Sequence, residues 1–271
     1  MTGHSAPRLA VIAGQGDLPL RLARTVSRQG REVTIFAITG QADADFSEFD
    51  VVEVALGTIG ETRQQIKAAD CTEVAMVGKV RRPSLAQLRP DAHAVKLLAR
   101  AVGKGDDALL RVIASFFEED GISVVPVDRL MPDHVMPEGI LAGTIDATAQ
   151  ADIDCGQAVL ERLGDSDIGQ VIVVQDQRIL AIEAAEGTNE MLARCQGLID
   201  MSAAPAIFLK CAKLAQDRRL DIPVIGVDTL RRAAAAGIGV IACEAGNVLL
   251  SESPDILWQE ADRLGLSVIG I

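Results

Sequence analysis

The chain has 271 residues, of which 49% are hydrophobic, and a formal net charge of −12. This length is enough for one large domain or two of ordinary size. Tyr is absent and Trp occurs once. The core must therefore consist of Ala, Val, Ile and Leu, which favours layered α/β structure over an aromatic-rich sandwich. The acidic balance argues against general nucleic-acid binding, which needs a basic face, but local basic clusters still allow an anionic small ligand.

The few cysteines and histidines limit redox and metal chemistry. There are five Cys and three His, and no two Cys form a C-x-x-C pair. This pattern indicates reduced thiols rather than a disulfide framework or a zinc site. Residues 1–8 lack the apolar region of a signal peptide, and no run approaches eighteen apolar residues. We therefore expect a cytoplasmic protein without a transmembrane segment.

The first half of the sequence alternates short apolar runs with helical patterns. The predicted strands cover residues 9–13, 33–38, 51–55, 74–77 and 122–127. One predicted helix follows residue 17, and three others cover residues 59–69, 92–102 and 107–119. The helix at 59–69 is predicted to start in a capping box of Thr58 and Glu61. Such alternation is typical of a parallel sheet with right-handed crossovers. We predict an N-terminal Rossmann-like parallel-sheet domain over residues 1–132.

Pro and Gly are dense in residues 130–143, which predicts a linker at 133–145. The second half then contains predicted helices at 149–163, from 188, 228–237 and 254–264. Its predicted strands cover 171–175, 178–183, 206–209, 224–227, 240–243, 248–250 and 266–269, with the first two forming a hairpin. We predict a C-terminal α/β domain with a mixed sheet over residues 146–271.

Glycines follow the first strand directly. Gly14, Gln15 and Gly16 end the strand, and Leu18 and Pro19 open the next helix. This context suits a nucleotide phosphate or sugar at a helix N-terminus. Pro19 replaces the third glycine of the dinucleotide fingerprint, and no acidic residue ends the strand at 33–38, so the pattern gives weak support for NAD. A tight turn between strand and helix is the structural alternative.

Three cations follow the strand at 74–77. They are Lys79, Arg81 and Arg82. Side chains of this kind can clamp a diphosphate through charge-assisted hydrogen bonds. The alternative is an exposed basic turn.

A second polar block covers residues 210–223, with four cations and two carboxylates in fourteen residues. Loops beyond the carboxyl ends of strands form the ligand crevice in open α/β sheets. Asp217 and Asp221 share a face if this stretch is helical, and they suit a metal or a proton-transfer role. The alternative is a solvated loop whose charges pair with each other.

Three further polar residues lie at predicted helix starts. Thr188 suits a helix cap, Glu186 suits a cation site or a helix terminus, and Asp228 suits either a cap or an active-site carboxylate.

These blocks, in this order, resemble the LpxI-type UDP-2,3-diacylglucosamine pyrophosphatases of lipid A biosynthesis in Gram-negative bacteria. The matching blocks are residues 12–19, 78–83, 105–110, 182–188 and 216–223. The resemblance implies a cytoplasmic, Mg²⁺-dependent hydrolase that splits the diphosphate of UDP-2,3-diacylglucosamine into UMP and 2,3-diacylglucosamine 1-phosphate (lipid X). It implies that the first domain holds UDP and that the second holds the acylated sugar phosphate and supplies the chemistry.

The resemblance also suggests roles for individual residues. Asp217 and Asp221 are expected to hold magnesium or orient water. The expected catalytic residues are Asp217, Asp221, Lys210, Arg218 and Asp228. The expected substrate-binding residues are Gly14, Gln15, Gly16, Leu18, Pro19, Lys79, Arg81, Arg82, Glu186, Gly187, Thr188, Asn189, Lys213 and Gln216. The expected partners are the lipid nucleotide, a second copy in a homodimer and, transiently, the inner-membrane surface, but not nucleic acid.

Two other functions remain open at this stage. One is a nicotinamide-dependent oxidoreductase built on the first domain. The other is a nucleotide-sensing module that binds UDP without turnover.

Overall fold

The structure is a computed structural model of the chain. The structure describes residues 6–81, 90–101, 106–164, 168–213 and 217–271. The strands are β1 (Leu9–Ala13), β2 (Val33–Ile38), β3 (Asp50–Val54), β4 (Glu73–Val77), β5 (Ser123–Val124), β6 (Gly139–Ala142), β7 (Val171–Gln175), β8 (Arg178–Ile182), β9 (Ala206–Lys210), β10 (Val224–Ile225), β11 (Ile238–Cys243), β12 (Leu249–Leu250) and β13 (Ser267–Gly270). The helices are α1 (Leu18–Arg28), α2 (Ile59–Ala68), α3 (Ala92–Ala101), α4 (Asp106–Glu118), α5 (Val127–Leu130), α6 (Ala147–Leu163), α7 (Thr188–Cys195), α8 (Val227–Ala236) and α9 (Pro254–Leu264).

The chain forms two compact units. The first comprises Met1–Pro132 and Asp217–Asp221, and the second comprises Asp133–Gln216 and Ile222–Ile271. A five-residue segment from the second half of the sequence therefore belongs to the first unit. In the part of the chain that the structure describes, no helix is both long and apolar enough to cross a bilayer.

The first unit is built on a five-stranded sheet in the order β3-β2-β1-β4-β5. All four strand pairs are parallel. This arrangement confirms the predicted Rossmann-like parallel sheet. The central strands read as continuous apolar runs because both faces of a parallel sheet are covered. β1 is accordingly buried along nearly its whole length.

The start of α2 differs from the prediction. Thr58 lies at the N-cap position but makes no capping hydrogen bond, and its hydroxyl donates instead to the carbonyl of Ala55. The carboxylate of Asp91 accepts the N–H of Gly60 at 2.7 Å and also that of Ala94 at 2.7 Å. One distant aspartate therefore caps α2 and the beginning of α3, and the predicted capping box is wrong.

The second unit is built on a six-stranded mixed sheet in the order β6-β13-β11-β9-β7-β8, beside a small parallel pair of β10 and β12. One face packs against α6, while the other packs against α7, α8 and α9. This arrangement confirms the predicted α/β unit with a mixed sheet. Residues 133–145, predicted as a linker, contain part of a 3-10 turn (Pro132–His134) and also β6, which pairs antiparallel with β13 at the sheet edge.

The β7–β8 hairpin turns through Asp176 and Gln177, as predicted. Both residues have positive φ, 51° and 57°, which is the backbone of a two-residue hairpin turn. The carboxylate of Asp152, buried on α6, accepts the N–H groups of both turn residues. α6 therefore holds the hairpin turn in place through Asp152.

We expect Asp152→Ala to lower the free energy of unfolding of the second unit by about 2 kcal/mol, because two turn N–H groups lose a charged acceptor. Urea unfolding measures this loss. The matched control is Asp154→Ala on the same helix, whose exposed carboxylate accepts a hydrogen bond from the Gln150 side chain. It should stay within about 0.5 kcal/mol of wild type. Equal stability of the Asp152 and Asp154 variants would contradict the role given to Asp152.

Candidate functional site

The first unit brings two polar loops together at the carboxyl edge of its sheet. β2 lies beside β1 on one side and β4 lies beside β1 on the other side. The order in which strands are added along the sheet therefore reverses between β1 and β4. Open α/β sheets bind ligands in the crevice at such a switch point. Here the loops after β1 and β4 are joined by a backbone bridge. The N–H of Gln15 donates to the carbonyl of Lys79 at 2.8 Å, and the N–H of Lys79 returns a bond to the carbonyl of Gln15 at 3.1 Å.

Two glycines make this bridge sterically feasible. A Cβ atom added to Gly14 would lie 2.7 Å from the carbonyl oxygen of Lys79 and 2.8 Å from that of Gly78. A Cβ added to Gly78, whose φ is +95°, would lie 2.8 Å from the carbonyl carbon of Gly14. The obstacles are backbone atoms, which cannot move aside cheaply. Both positions therefore require glycine.

The loop after β2 supports the cationic segment. The side-chain amide of Gln41 accepts the N–H of Arg81 at 3.0 Å and donates to the carbonyl of Arg81 at 3.3 Å. Lys79 and Arg81 are exposed. Among the residues that the structure describes, no carboxylate forms a salt bridge with either side chain. Arg82, the third predicted cation, lies outside the described residues.

Asp43, in the loop after β2, binds the glycine loop and was not among the predicted site residues. Its carboxylate accepts the N–H of Gly16 at 2.7 Å. Asp17, at the N-cap position of α1, makes no capping bond and lies 3.9 Å from Arg21 instead. The sequence shows an acidic residue five positions after β2, but it does not show that this loop folds back to Gly16.

The two other residues predicted in this loop lie in the first turn of α1. Leu18 begins the helix, and Pro19 follows it and is buried. Pro at this position is compatible with a helix start because the first-turn N–H groups have no partner within the helix.

In the second unit, five strand ends meet at one edge of the sheet. Lys210 ends β9 and pairs with Val171, which begins β7, and with Cys243, which ends β11. β8 ends beside the start of β7, and β13 ends beside Cys243. The residues that follow β8, β9, β11 and β13, and those that precede β7, therefore line the same edge of the sheet.

Lys210 is nearly buried at this edge, with 6% of its surface exposed. Its ammonium donates to the carbonyl of Val224 at 2.9 Å. The hydrogen bond joins the end of β9 to the start of β10, so it closes the base of the intervening loop. Lys213, three residues further on, is partly buried.

The turn into α7 is held by a buried carboxylate. Glu183 accepts the hydroxyl of Thr188 at 2.6 Å and the N–H of Gln170 at 3.2 Å. Thr188 is the first residue of α7, and its hydroxyl does not cap the helix, so that prediction is wrong. The N-cap is Gly187, with a φ of +80°.

The neighbouring residues of this turn face solvent. Glu186 and Asn189 are exposed. Arg194 donates to the Glu186 carboxylate at 3.0 Å. The backbone N–H of Glu186 and then Arg194 lower the pKa of this carboxyl below its ordinary value.

The segment Asp217–Asp221 is a single turn and not a helix. The carbonyl of Asp217 accepts the N–H groups of Leu220 and Asp221. Leu220 is buried in the apolar core of the first unit. Arg219 donates to both oxygens of the Asp217 carboxylate, at 3.0 Å from Nε and 2.7 Å from Nη2. This guanidinium lowers the pKa of Asp217.

The predicted two-carboxylate magnesium site does not fit this arrangement. Asp217 is neutralised by a bidentate arginine, and a metal at its oxygens requires loss of that ion pair. Asp221 is exposed. The described residues contain no group of three or more Asp, Glu, His or Cys side chains suited to a metal ion. Gln216 lies outside the described residues.

The remaining predicted catalytic residues form ion pairs. Arg218 donates to Asp128 at 2.7 Å, within the first unit. Asp228 lies in the first turn of α8 and accepts from Arg232 at 2.7 Å on the exposed helix surface. It does not cap the helix, whose N-cap is Gly226.

Comparison with known proteins identifies the family. The family model for the LpxI N-terminal domain matches residues 8–134, and that for the LpxI C-terminal domain matches residues 137–269. The chain is 36% identical over 273 aligned positions to the UDP-2,3-diacylglucosamine pyrophosphatase LpxI of Caulobacter vibrioides, with 97% of each chain covered.

Among solved structures, the UDP-N-acetylglucosamine 4-epimerase from Bacillus cereus matches with a TM-score of 0.33 at 11% identity, over 98% of this chain and 75% of that one. The Bordetella bronchiseptica enzyme WbmG in complex with NAD matches with a TM-score of 0.35 at 13% identity, over 98% of this chain and 81% of that one. The two family models together span nearly the whole chain, and the match to the Caulobacter relative covers 97% of it. The chain therefore belongs to the LpxI family.

Proposed function

We propose that this chain hydrolyses the diphosphate of UDP-2,3-diacylglucosamine to UMP and 2,3-diacylglucosamine 1-phosphate in lipid A biosynthesis. The observation that carries the proposal is the full-length match to a pyrophosphatase of that name. The exposed cations at the strand ends of the first unit support it, because a diphosphate anion needs such partners. We also propose that the enzyme acts in the cytoplasm, with transient contact with the membrane surface that holds its diacylated substrate.

The reaction adds water to one phosphorus and breaks that phosphorus's bond to the bridging oxygen. Both products are then phosphate monoesters, and the protons of water pass to the products or to solvent. Lys79 and Arg81 bind diphosphate oxygens by charge-assisted hydrogen bonds. They hold the anion at the switch point, where Gly14, Gln15 and Gly16 approach the nucleotide.

In the second unit, we assign the acylated sugar phosphate to the edge formed by Lys210, Lys213 and the turn Gly187, Thr188 and Asn189. A lysine and a helix N-terminus both suit a phosphate monoester. The two acyl chains need an apolar groove, which we assign to the same unit.

Magnesium dependence is also part of the proposal. A divalent ion offsets charge that develops on a diphosphate during attack by water. Asp217 is paired with Arg219, so we do not assign it as a ligand of this ion.

The assay that tests the function is incubation of the purified protein with the lipid nucleotide and Mg²⁺. We expect release of UMP and lipid X, loss of release in excess chelator, and recovery when Mg²⁺ is restored. Chromatography of both products provides the measurement. Intact substrate after incubation with a folded enzyme at several concentrations of Mg²⁺ would contradict the proposal.

The role of the first unit is tested by UDP binding. Lys79→Ala should weaken UDP binding about tenfold, because one charge-assisted hydrogen bond is worth about 1.5 kcal/mol. Isothermal titration calorimetry gives the affinity. The matched control is Lys67→Ala. Lys67 lies at the end of α2, which leads to the start of β4 and so to the opposite edge of the sheet, and it pairs with Asp120. Equal losses in the two variants would argue against a UDP site at Lys79.

The same titration separates the alternative functions. A dinucleotide pyrophosphate needs the N–H groups of the glycine loop. Asp43 already accepts the N–H of Gly16, so this donor is not available to a dinucleotide pyrophosphate, whereas the proposed UDP site binds the diphosphate through Lys79 and Arg81. We therefore expect no micromolar binding of NADH. Tight NADH binding would favour an oxidoreductase, and UDP binding without turnover would favour a sensing module.

A further inference from the structure

Glu244 lies at the strand-end edge of the second unit and forms hydrogen bonds in three directions. It directly follows β11, next to Lys210 at the end of β9. Its carboxylate accepts the N–H of Ala212 at 2.8 Å and the side-chain amide of Asn247 at 2.6 Å. Its own N–H donates to the carbonyl of Lys210 at 2.9 Å. The residue is partly buried. Burial is the main cause that raises the pKa of the neighbouring Cys211 thiol to about 12, and the charge of Glu244 contributes to the same shift.

These bonds fix the chain where it leaves β9. Beyond Lys210 the sheet ladder between β9 and β11 ends, so Ala212 has no strand partner on that side. The Glu244 carboxylate supplies the missing acceptor. Lys213 follows Ala212 directly, so the direction in which Lys213 leaves the sheet depends on this hydrogen bond.

We propose that Glu244 is a positioning residue that holds the backbone of Ala212 and thereby presents Lys213 to the sugar phosphate. This rests on the proposed function, since Lys210 and Lys213 matter for turnover only if this edge binds substrate. Glu244 acts through hydrogen-bond geometry and not through its charge. Neither the composition nor the motifs of the sequence distinguish it from any other glutamate after a strand.

The distinction between geometry and charge can be tested because glutamine can replace the glutamate. In Glu244→Gln, the side-chain carbonyl still accepts from Ala212. The new amide donates to Asn247 once the Asn247 amide turns over and presents its oxygen. Both hydrogen bonds then survive without the charge. In Glu244→Ala, both are lost.

The experiment compares wild type, Glu244→Gln and Glu244→Ala in two readouts. The first is amide hydrogen exchange, by mass spectrometry, of peptides containing Ala212, without substrate. The second is kcat and KM for UMP release across pH. We expect Glu244→Gln to match wild type in exchange, to stay within threefold in kcat/KM and to keep the same pH profile. Glu244→Ala should exchange at least tenfold faster at this site and raise KM about tenfold with a smaller change in kcat.

The matched control is Asp146→Ala, which removes the cap of α6 and so loses a carboxylate–backbone hydrogen bond elsewhere in the same unit. It should leave exchange at Ala212 unchanged. Loss of activity in Glu244→Gln as deep as in Glu244→Ala would mean that the charge acts, as a base or a ligand, and would overturn the proposal. Wild-type exchange and KM in Glu244→Ala would overturn it as well. An inactive wild type would refute the proposed function, whereas the exchange measurement would still decide whether Glu244 holds Ala212.

Discussion

The first unit depends on the close approach of two backbones at Gly14 and Gly78. The chain connections that follow two adjacent parallel strands diverge at a switch point, so the loops beyond β1 and β4 would ordinarily leave an open crevice. Here the absence of two Cβ atoms lets those loops form a short antiparallel bridge between Gln15 and Lys79. The bridge fixes the backbone of Lys79 on the carboxyl edge, and Gln41 fixes that of Arg81. The backbone that carries the two cations is therefore held in place, which lowers the conformational entropy that binding of the proposed anion would cost.

The second unit organises its polar edge by a different means. Its strand-end loops are tied down by carboxylates that accept backbone or hydroxyl donors, Glu183 at the start of α7 and Glu244 after β11. Lys210 closes the loop base through the carbonyl of Val224. A carboxylate is well suited to this work because its two oxygens accept separate hydrogen bonds from different donors. The side chains that we propose to bind substrate at this edge are thus surrounded by residues that fix the backbone.

The sequence predicted the regular structure well and the polar contacts poorly. Strands such as Val33–Ile38 were recognisable because a buried parallel strand is a continuous apolar run, and the β7–β8 turn was recognisable from its length. Helix caps were not, since the acceptor at α2 is Asp91, about thirty residues away. The packing of Asp217–Asp221 in the first unit could not be predicted either, because a single buried leucine in a charged loop gives no periodic hydrophobic pattern. Contacts between residues distant in sequence decide these features.

The most direct test of the account is the UDP affinity and thermal stability of Gly14→Ala, compared with Gly197→Ala, where an added Cβ meets no atom within 4 Å. A methyl group at Gly14 collides with backbone carbonyls, so we expect a lower unfolding temperature and at least a tenfold loss of UDP affinity. The Gly197 variant should resemble wild type in both. If Gly14→Ala keeps wild-type stability and UDP affinity, the strand-end bridge does not position the cations.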